Sequence, residues 1–288
     1  MTALPYRICH FHIFKNAGTS IDKALQNHFG EHWSTFEGDH AHDIKTSAEL
    51  TAHLNSHREI QAVSSHLCRP SLHTPAILPV VFIRHPLERA RSVYEFTRLD
   101  PTQPFRESTT SSFADYLKWA LSGAPGGVVI RDYQVIHLSS ASFHRDGILQ
   151  AVATELHFRE ARRIIDSWQV IGVVDQYAQS IELMETVYRQ YFPDLKISYE
   201  HENVTNSAHR AADIEVEIGK ELCQAFYEQN RFDYQLYDHA CARLAYLFAM
   251  HCQKIEPAAV KSGWLAQSAR LMHNATGAVA RLGRRAST

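Results

Sequence analysis

The segment at residues 11–20 (FHIFKNAGTS) constrains the fold more than any other part of this sequence. Residues 7–13 read as a short buried strand, and Gly18 begins a helical pattern of apolar residues. A strand that turns directly into a helix presents unpaired backbone N–H groups and the positive end of the helix dipole. That geometry binds a phosphate or sulfate group without a metal ion.

The loop also carries side chains that suit an anion site. Lys15 supplies a compact positive charge, Gly18 permits close approach of the backbone, and Thr19 and Ser20 offer hydroxyl groups. The lysine precedes the glycine, whereas in the nucleoside-triphosphatase loop GxxxxGK[ST] it follows the last glycine and a hydroxyl binds magnesium. Taken alone, the pattern is better explained as a plain strand–turn–helix corner.

A second segment strengthens the anion-binding interpretation. Residues 79–84 (PVVFIR) predict a strand, and Pro86 suits the first turn of a helix that runs to about residue 98. Arg84 ends the strand, and Ser92 lies about two turns into the helix. A guanidinium fork and a hydroxyl can together hold a phosphate monoester. The alternative is a surface ion pair between Arg84 and Glu88.

Strands that alternate with helices predict an α/β fold, P-loop-like and three-layered, with a central parallel sheet flanked by helices. Weaker strands are expected at 61–65 and 169–174, loops at 31–45 and 72–79, and helices at 48–57, 113–121, 129–139, 148–165, 175–191, 210–230 and 233–253. We expect one domain over residues 1–253. Residues 254–288 form a basic amphipathic tail, for which membrane contact, docking and fraying all stay open.

Composition excludes several classes of protein. A net charge of −2 argues against a nucleic-acid binder. The five cysteines are odd in number and irregularly spaced, so we expect reduced thiols and a cytoplasmic protein, with membrane association through the tail left open. His10 and His12 share one face of the first strand, but no standard zinc spacing occurs and no metal site is expected.

Together the two segments resemble the 5′-phosphosulfate loop and the 3′-phosphate motif of sulfotransferases that use 3′-phosphoadenosine-5′-phosphosulfate (PAPS). The resemblance is closer to the carbohydrate branch, which includes the heparan and dermatan 2-O-sulfotransferases and has motifs like HIPKTAGTS and FVRDPVERAISAY. Weaker matches extend it over about residues 7–248. They are His66, Asp132-Tyr-Gln134, the segment 171–175 that ends in Asp175, and the segment 230–237 that contains Asn230 and Asp233.

The resemblance implies a role for each matching residue. The 5′-phosphosulfate would be bound by Lys15, Asn16, Ala17, Gly18, Thr19 and Ser20. Arg84 and Ser92 would bind the 3′-phosphate, and Lys15 and His66 would be catalytic, with His66 as the general base. The acceptor would be a hydroxyl of a carbohydrate or glycolipid-like molecule. A non-catalytic glycan-binding or nucleotide-binding module and a phosphoryl-transfer enzyme are the alternatives. The sequence departs from the family pattern at Phe14, Asn16, His85, Asp132 and Ile136, and the last two departures leave the acceptor class open.

Overall fold

A parallel sheet of four strands lies at the centre of the protein. The computed structural model describes residues 6–40, 42–72, 76–197 and 210–253. Its strands are β1 (Arg7–Phe11), β2 (Trp33–Thr35), β3 (Ala62–Ser65) and β4 (Ile77–Val80), in the order β2-β3-β1-β4. All five residues of β1 are buried, because this strand has a neighbour on each side and helices on both faces.

A second, two-stranded parallel sheet continues the first. It pairs β5 (Phe82–Ile83) with β6 (Gly172–Val173). The single strand predicted at 79–84 is therefore two strands, separated at Val81, whose carbonyl accepts a hydrogen bond from the Gly172 N–H at 2.8 Å. Pro79, which has no N–H to donate, lies in β4 at the edge of the larger sheet, where a proline is tolerated.

Ten α-helices surround the two sheets in the described part of the chain. They are α1 (Gly18–Phe29), α2 (Ser47–Ser56), α3 (Pro86–Leu99), α4 (Phe113–Leu121), α5 (Tyr133–His137), α6 (Glu155–Ser167), α7 (Tyr177–Tyr188), α8 (Ala211–Ile218), α9 (Lys220–Gln229) and α10 (Arg231–His251). The main core joins residues of β1, β3 and β4 to α1, α6, α7 and α10, and a second core joins α3, α4, α8 and α9. The predicted fold class, α/β with a central parallel sheet flanked by helices, is confirmed.

Several predicted boundaries were wrong. The 31–45 loop contains β2, whose Trp33 indole donates to Ser64 Oγ at 3.2 Å, and the 72–79 connector already enters β4 at Ile77. A left-handed Gly219 (φ 79°) divides the helix predicted at 210–230 into α8 and α9. The helix predicted at 129–139 is the short α5, and the one predicted at 148–165 begins only after its cap, Thr154.

No helix in the described ranges is both long enough and apolar enough to cross a bilayer. The predicted amphipathic tail at 254–288, with its open alternatives of membrane contact and docking, lies outside the described residues.

Candidate functional site

The loop between β1 and α1 is a tight turn with two strained residues. Lys15 (φ 65°) and Ala17 (φ 61°) both adopt left-handed backbone conformations, although neither is glycine. The Asn16 N–H donates to the Ile13 carbonyl at 3.1 Å, and the Ser20 N–H donates to the Ala17 carbonyl at 3.1 Å. Backbone strain of this kind costs about 1 kcal/mol or more per residue and is concentrated at ligand sites.

The turn leaves the start of α1 open. Within the described ranges, the backbone N–H groups of Ala17, Gly18 and Thr19 have no acceptor. The Thr19 side chain is exposed, and that of Ser20 is half-buried. Free N–H groups at the positive end of a twelve-residue helix are the kind of groups that can bind an anion, and the predicted phosphosulfate contact stays a prediction.

The absence of a side chain at Gly18 leaves room for His12, which directly follows β1. A Cβ atom on this residue would lie 1.7 Å from Nε2 of His12, so any larger side chain would displace the imidazole. The His12 ring therefore packs directly against the first turn of α1.

Arg84 and Lys15, which the sequence places in separate segments, meet in the structure. Arg84 follows β5, is 7% exposed, and donates from Nη1 to the Lys15 carbonyl at 3.1 Å. Nζ of Lys15 lies 4.4 Å above the ring of Phe96 on α3. Burial, and then the charge of Arg84, lower the pKa of Lys15. Two cations held this close favour an anion that lies between them.

Ser92 lies on α3, the helix that also carries Phe96. It is half-buried and stands one helical turn before Phe96, so the two side chains share a face of the helix. The structure therefore places the Ser92 hydroxyl on the same helix face as the ring that contacts Lys15.

Two carboxyl groups, those of Glu88 and Asp175, lie near Arg84. Glu88 accepts a hydrogen bond from the Ala211 N–H at 3.0 Å, and Asp175 accepts one from the Tyr237 hydroxyl at 2.8 Å. Burial, and then the charge of Asp175, raise the pKa of Glu88 to about 7. Asp175 and burial therefore both favour the protonated form of Glu88. The sequence signal for Asp175 was its position at the end of a buried strand.

The side chain of Asn16 supports the loop instead of facing a ligand. Its Nδ2 donates to the Phe82 carbonyl and to Gln134 Oε1, both at 2.7 Å. Gln134, fully buried, also accepts from the Arg84 N–H at 2.9 Å and donates to the Arg84 carbonyl at 3.0 Å. Since the Asn16 N–H is bonded as well, the expected donor contact of Asn16 is corrected to a structural role.

Two further segments that resemble the family, at 132–134 and 230–237, contact each other beside Gln134. The buried carboxylate of Asp233 accepts from the N–H groups of Gln134 (3.1 Å) and Val135 (2.9 Å). The Asp132 carboxylate accepts from the Asp233 N–H at 2.8 Å, and the Asp132 N–H donates to Asn230 Oδ1 at 3.0 Å. These residues lock α5 to α10.

Asp132 departs from the family pattern, and its side chain takes part in this contact between α5 and α10. Burial, and then the charge of Asp233, raise the pKa of Asp132 to about 8. Ile136, the other departure, is 1% exposed within the core. Both side chains are buried, so the structure assigns these two departures to contacts inside the protein.

His66 lies just after β3 and is anchored by Glu37. Its backbone N–H and its Nδ1 both approach Glu37 Oε1, at 2.8 and 2.9 Å. The side chain is 49% exposed, and its ring contacts that of His12, with centroids 3.7 Å apart and ring planes inclined by 32°. Glu37, at the end of the mispredicted loop, was not identified from the sequence.

His12 belongs to a hydrogen-bonded triad with His10 and Asp22 of α1. Nδ1 of His10 lies 2.7 Å from Asp22 Oδ1, and Nδ1 of His12 lies 3.0 Å from Asp22 Oδ2. These are hydrogen-bond distances, so each imidazole donates to one carboxylate oxygen. The prediction that His10 and His12 share a strand face is confirmed.

Comparison with known proteins adds little to this geometry. No family model matches the chain. An uncharacterized protein of Archaeoglobus fulgidus is 26% identical over 243 residues, which cover 80% of this chain and 93% of the relative. Its description assigns no activity, so the functional argument rests on the site.

Proposed function

We propose that this protein is a PAPS-dependent sulfotransferase that transfers a sulfuryl group to a hydroxyl of a carbohydrate or glycolipid-like acceptor. The observation that carries the proposal is the contact between Arg84 Nη1 and the Lys15 carbonyl at 3.1 Å. PAPS has a phosphate at its 3′ end and a phosphosulfate at its 5′ end. A protein that binds both ends needs two cationic groups within the length of one nucleotide, and this contact supplies that proximity.

The donor would occupy the groups already described. The open N–H groups of Ala17, Gly18 and Thr19 would hold the 5′-phosphosulfate, together with the Ser20 hydroxyl. Arg84 and Ser92 would hold the 3′-phosphate by charge-assisted hydrogen bonds. The site needs no metal ion for these contacts, since the donor's charge is met by the helix end and two cations.

Chemistry would proceed by in-line attack of the acceptor oxygen on sulfur. Phosphoryl transfer provides the analogy: its transition state is loose, and charge builds up on the leaving oxygen. Lys15 would neutralise that oxygen as adenosine 3′,5′-bisphosphate leaves. The protein's contribution is then positioning and charge stabilisation by groups that are already in place.

His66 would remove the proton of the acceptor hydroxyl. Its Nδ1 is held by Glu37, which leaves Nε2 for the acceptor. Half of the side chain is exposed, so an acceptor can reach it from solvent.

A calorimetric titration with adenosine 3′,5′-bisphosphate, in buffer without magnesium, tests the proposal. We expect binding by the wild type and by Arg145→Ala, an exposed control, and at least tenfold weaker binding by Arg84→Ala. Transfer of labelled sulfate from PAPS to a panel of glycans and glycolipids then identifies the acceptor. Absence of nucleotide affinity with retained glycan binding would indicate the non-catalytic module. Binding of ATP that requires magnesium would indicate phosphoryl transfer.

A further inference from the structure

His12 contacts both the loop between β1 and α1 and His66, the residue proposed as the general base. Its Nδ1 is bonded to Asp22 of α1, its Nε2 edge packs against Gly18, and its ring contacts that of His66 at a centroid distance of 3.7 Å and an angle of 32°. His12 is nearly buried, whereas His66 is half-exposed. A half-exposed side chain has many rotamers to lose, and a fixed ring beneath it limits them.

We propose that His12, fixed by Asp22, is a positioning residue for His66: it holds the His66 ring and stabilises the imidazolium that forms when His66 takes the acceptor's proton. This inference rests on the proposed function. In the step concerned, the acceptor O–H proton moves to Nε2 of His66 and the freed oxygen pair forms the new O–S bond. The bond between sulfur and the 5′-phosphate oxygen breaks, and its electron pair leaves on that oxygen.

The charges around His66 fit this role. It is faced by Glu37, by His12, by the Arg69 guanidinium, which donates to the His66 carbonyl at 2.7 Å, and by His137 of α5. His137 is fully buried, and neither of its ring nitrogens has a partner in the described part of the chain, so it stays neutral.

His12 stays neutral as well. Burial lowers its pKa to about 4, against the opposing effect of the bond to Asp22. The Asp22 carboxylate is bonded to Nδ1 of His12, and the Glu37 carboxylate lies 2.9 Å from Nδ1 of His66. An imidazolium formed at His66 during the reaction would therefore have one anion beside it and a second behind its contact with His12.

His10 provides a matched control. It also lies on the β1 side of α1, is also buried, and also donates its Nδ1–H to Asp22, at 2.7 Å. His10 stacks on His12 but has no ring contact with His66 among the described residues. If the triad serves only to pack β1 against α1, substitutions at the two positions should have equal effects on His66.

Carbethoxylation of His66 by diethylpyrocarbonate reports its protonation state without an acceptor. We would measure the rate at the His66 peptide against pH by mass spectrometry, in the wild type, His12→Gln, His12→Phe and His10→Gln. We expect the midpoint of the rate profile to fall by about one pH unit in His12→Gln. In His12→Phe, which keeps an aromatic face but loses the bond to Asp22, the fall should be smaller. His10→Gln should match the wild type.

Equal midpoints in His12→Gln and His10→Gln, or no shift in either, would overturn the inference. Circular dichroism establishes that each variant is folded, and His12→Phe carries the comparison if His12→Gln does not fold. Titration of the wild type with adenosine 3′,5′-bisphosphate tests the proposed function separately. A protein that fails to bind this nucleotide but shows the expected shift would lose the proposed function and keep the coupling of His12 to His66.

Discussion

Replacement of Gln134 by leucine should destabilise the whole protein, although Gln134 is not expected to touch any substrate. Its side-chain amide is fully buried and makes three bonds of 3.0 Å or less: from the Arg84 N–H, to the Arg84 carbonyl, and from Asn16 Nδ2. Leucine fills a similar volume but offers neither donor nor acceptor. The variant therefore leaves three buried polar groups without these partners.

The magnitude follows from the cost of an unsatisfied buried group, about 1–3 kcal/mol each. Asn16 keeps its bond to the Phe82 carbonyl, so the low end applies and the sum is about 3 kcal/mol. Urea unfolding followed by circular dichroism would then show a midpoint lower by about 1–3 M, for a slope of about 1–3 kcal/mol/M. Gln150→Leu, at an exposed position, is the control.

A loss below about 1 kcal/mol in Gln134→Leu would refute this reasoning, because it would mean that water reaches the Arg84 backbone. The same variant should weaken binding of adenosine 3′,5′-bisphosphate, because Gln134 is hydrogen-bonded both to Asn16 in the loop and to the backbone of Arg84. Retained affinity in a destabilised variant would show that the loop is positioned without Gln134.

Three further predictions concern the site itself. Lys15→Ala should abolish sulfuryl transfer while the far-ultraviolet circular dichroism spectrum is unchanged, and full turnover would contradict its assigned role. His66→Ala should lower the transfer rate about 10²–10⁴-fold and leave calorimetric affinity for adenosine 3′,5′-bisphosphate nearly intact; collapse of binding would make His66 structural. Affinity for the same nucleotide should rise as pH falls through about 7, because Glu88 gains a proton and repels the 3′-phosphate less. Glu88→Gln should flatten that dependence. Because the pKa of Glu88 is raised in the folded protein, Glu88 favours folding at low pH, and this contribution is lost as pH rises through about 7. Urea titrations at pH 5 and pH 8 should therefore show a difference in the free energy of unfolding that Glu88→Gln removes.

The strand–turn–helix around residues 11–20 could be predicted because its determinants are local. A strand, a lysine, a glycine and the start of a helix lie within ten residues, and each has one conformation that suits its neighbours. The sequence also indicated that Arg84 ends a neighbouring strand. Parallel strands bring their carboxyl ends to one edge, so its approach to Lys15 followed from the fold class.

The groups that support the loop could not be predicted, because their partners are distant in sequence. Asn16 and Gln134 are separated by 118 positions, and His66 and Glu37 by 29. No periodicity in one sequence specifies which buried amide meets which carbonyl. Asn16 illustrates the consequence: its position in the loop suggested a ligand contact, and the structure uses it as a structural link.

The short strands β2 and β5 could not be predicted for a different reason. β2 has three residues and β5 has two, which is less than the window over which alternation or an apolar run can be recognised. Trp33 was read as part of a polar loop because charged and polar residues follow it. Its pairing with β3 is decided by the sheet edge that β3 offers, which is a tertiary feature.

The contacts of Asp233 explain how a C-terminal helix can matter to a site built near the N-terminus. Its carboxylate fixes the start of α5 through the N–H groups of Gln134 and Val135, and Gln134 in turn holds Asn16 and Arg84. Loss of Asp233 would leave these two N–H groups unpaired in a fully buried position, which favours movement of α5. Gln134 lies in the first turn of α5. A movement of α5 would therefore displace the loop at Asn16 and the backbone of Arg84 together. The segment at 230–237 thus carries a residue that, through Gln134, supports both Asn16 and Arg84.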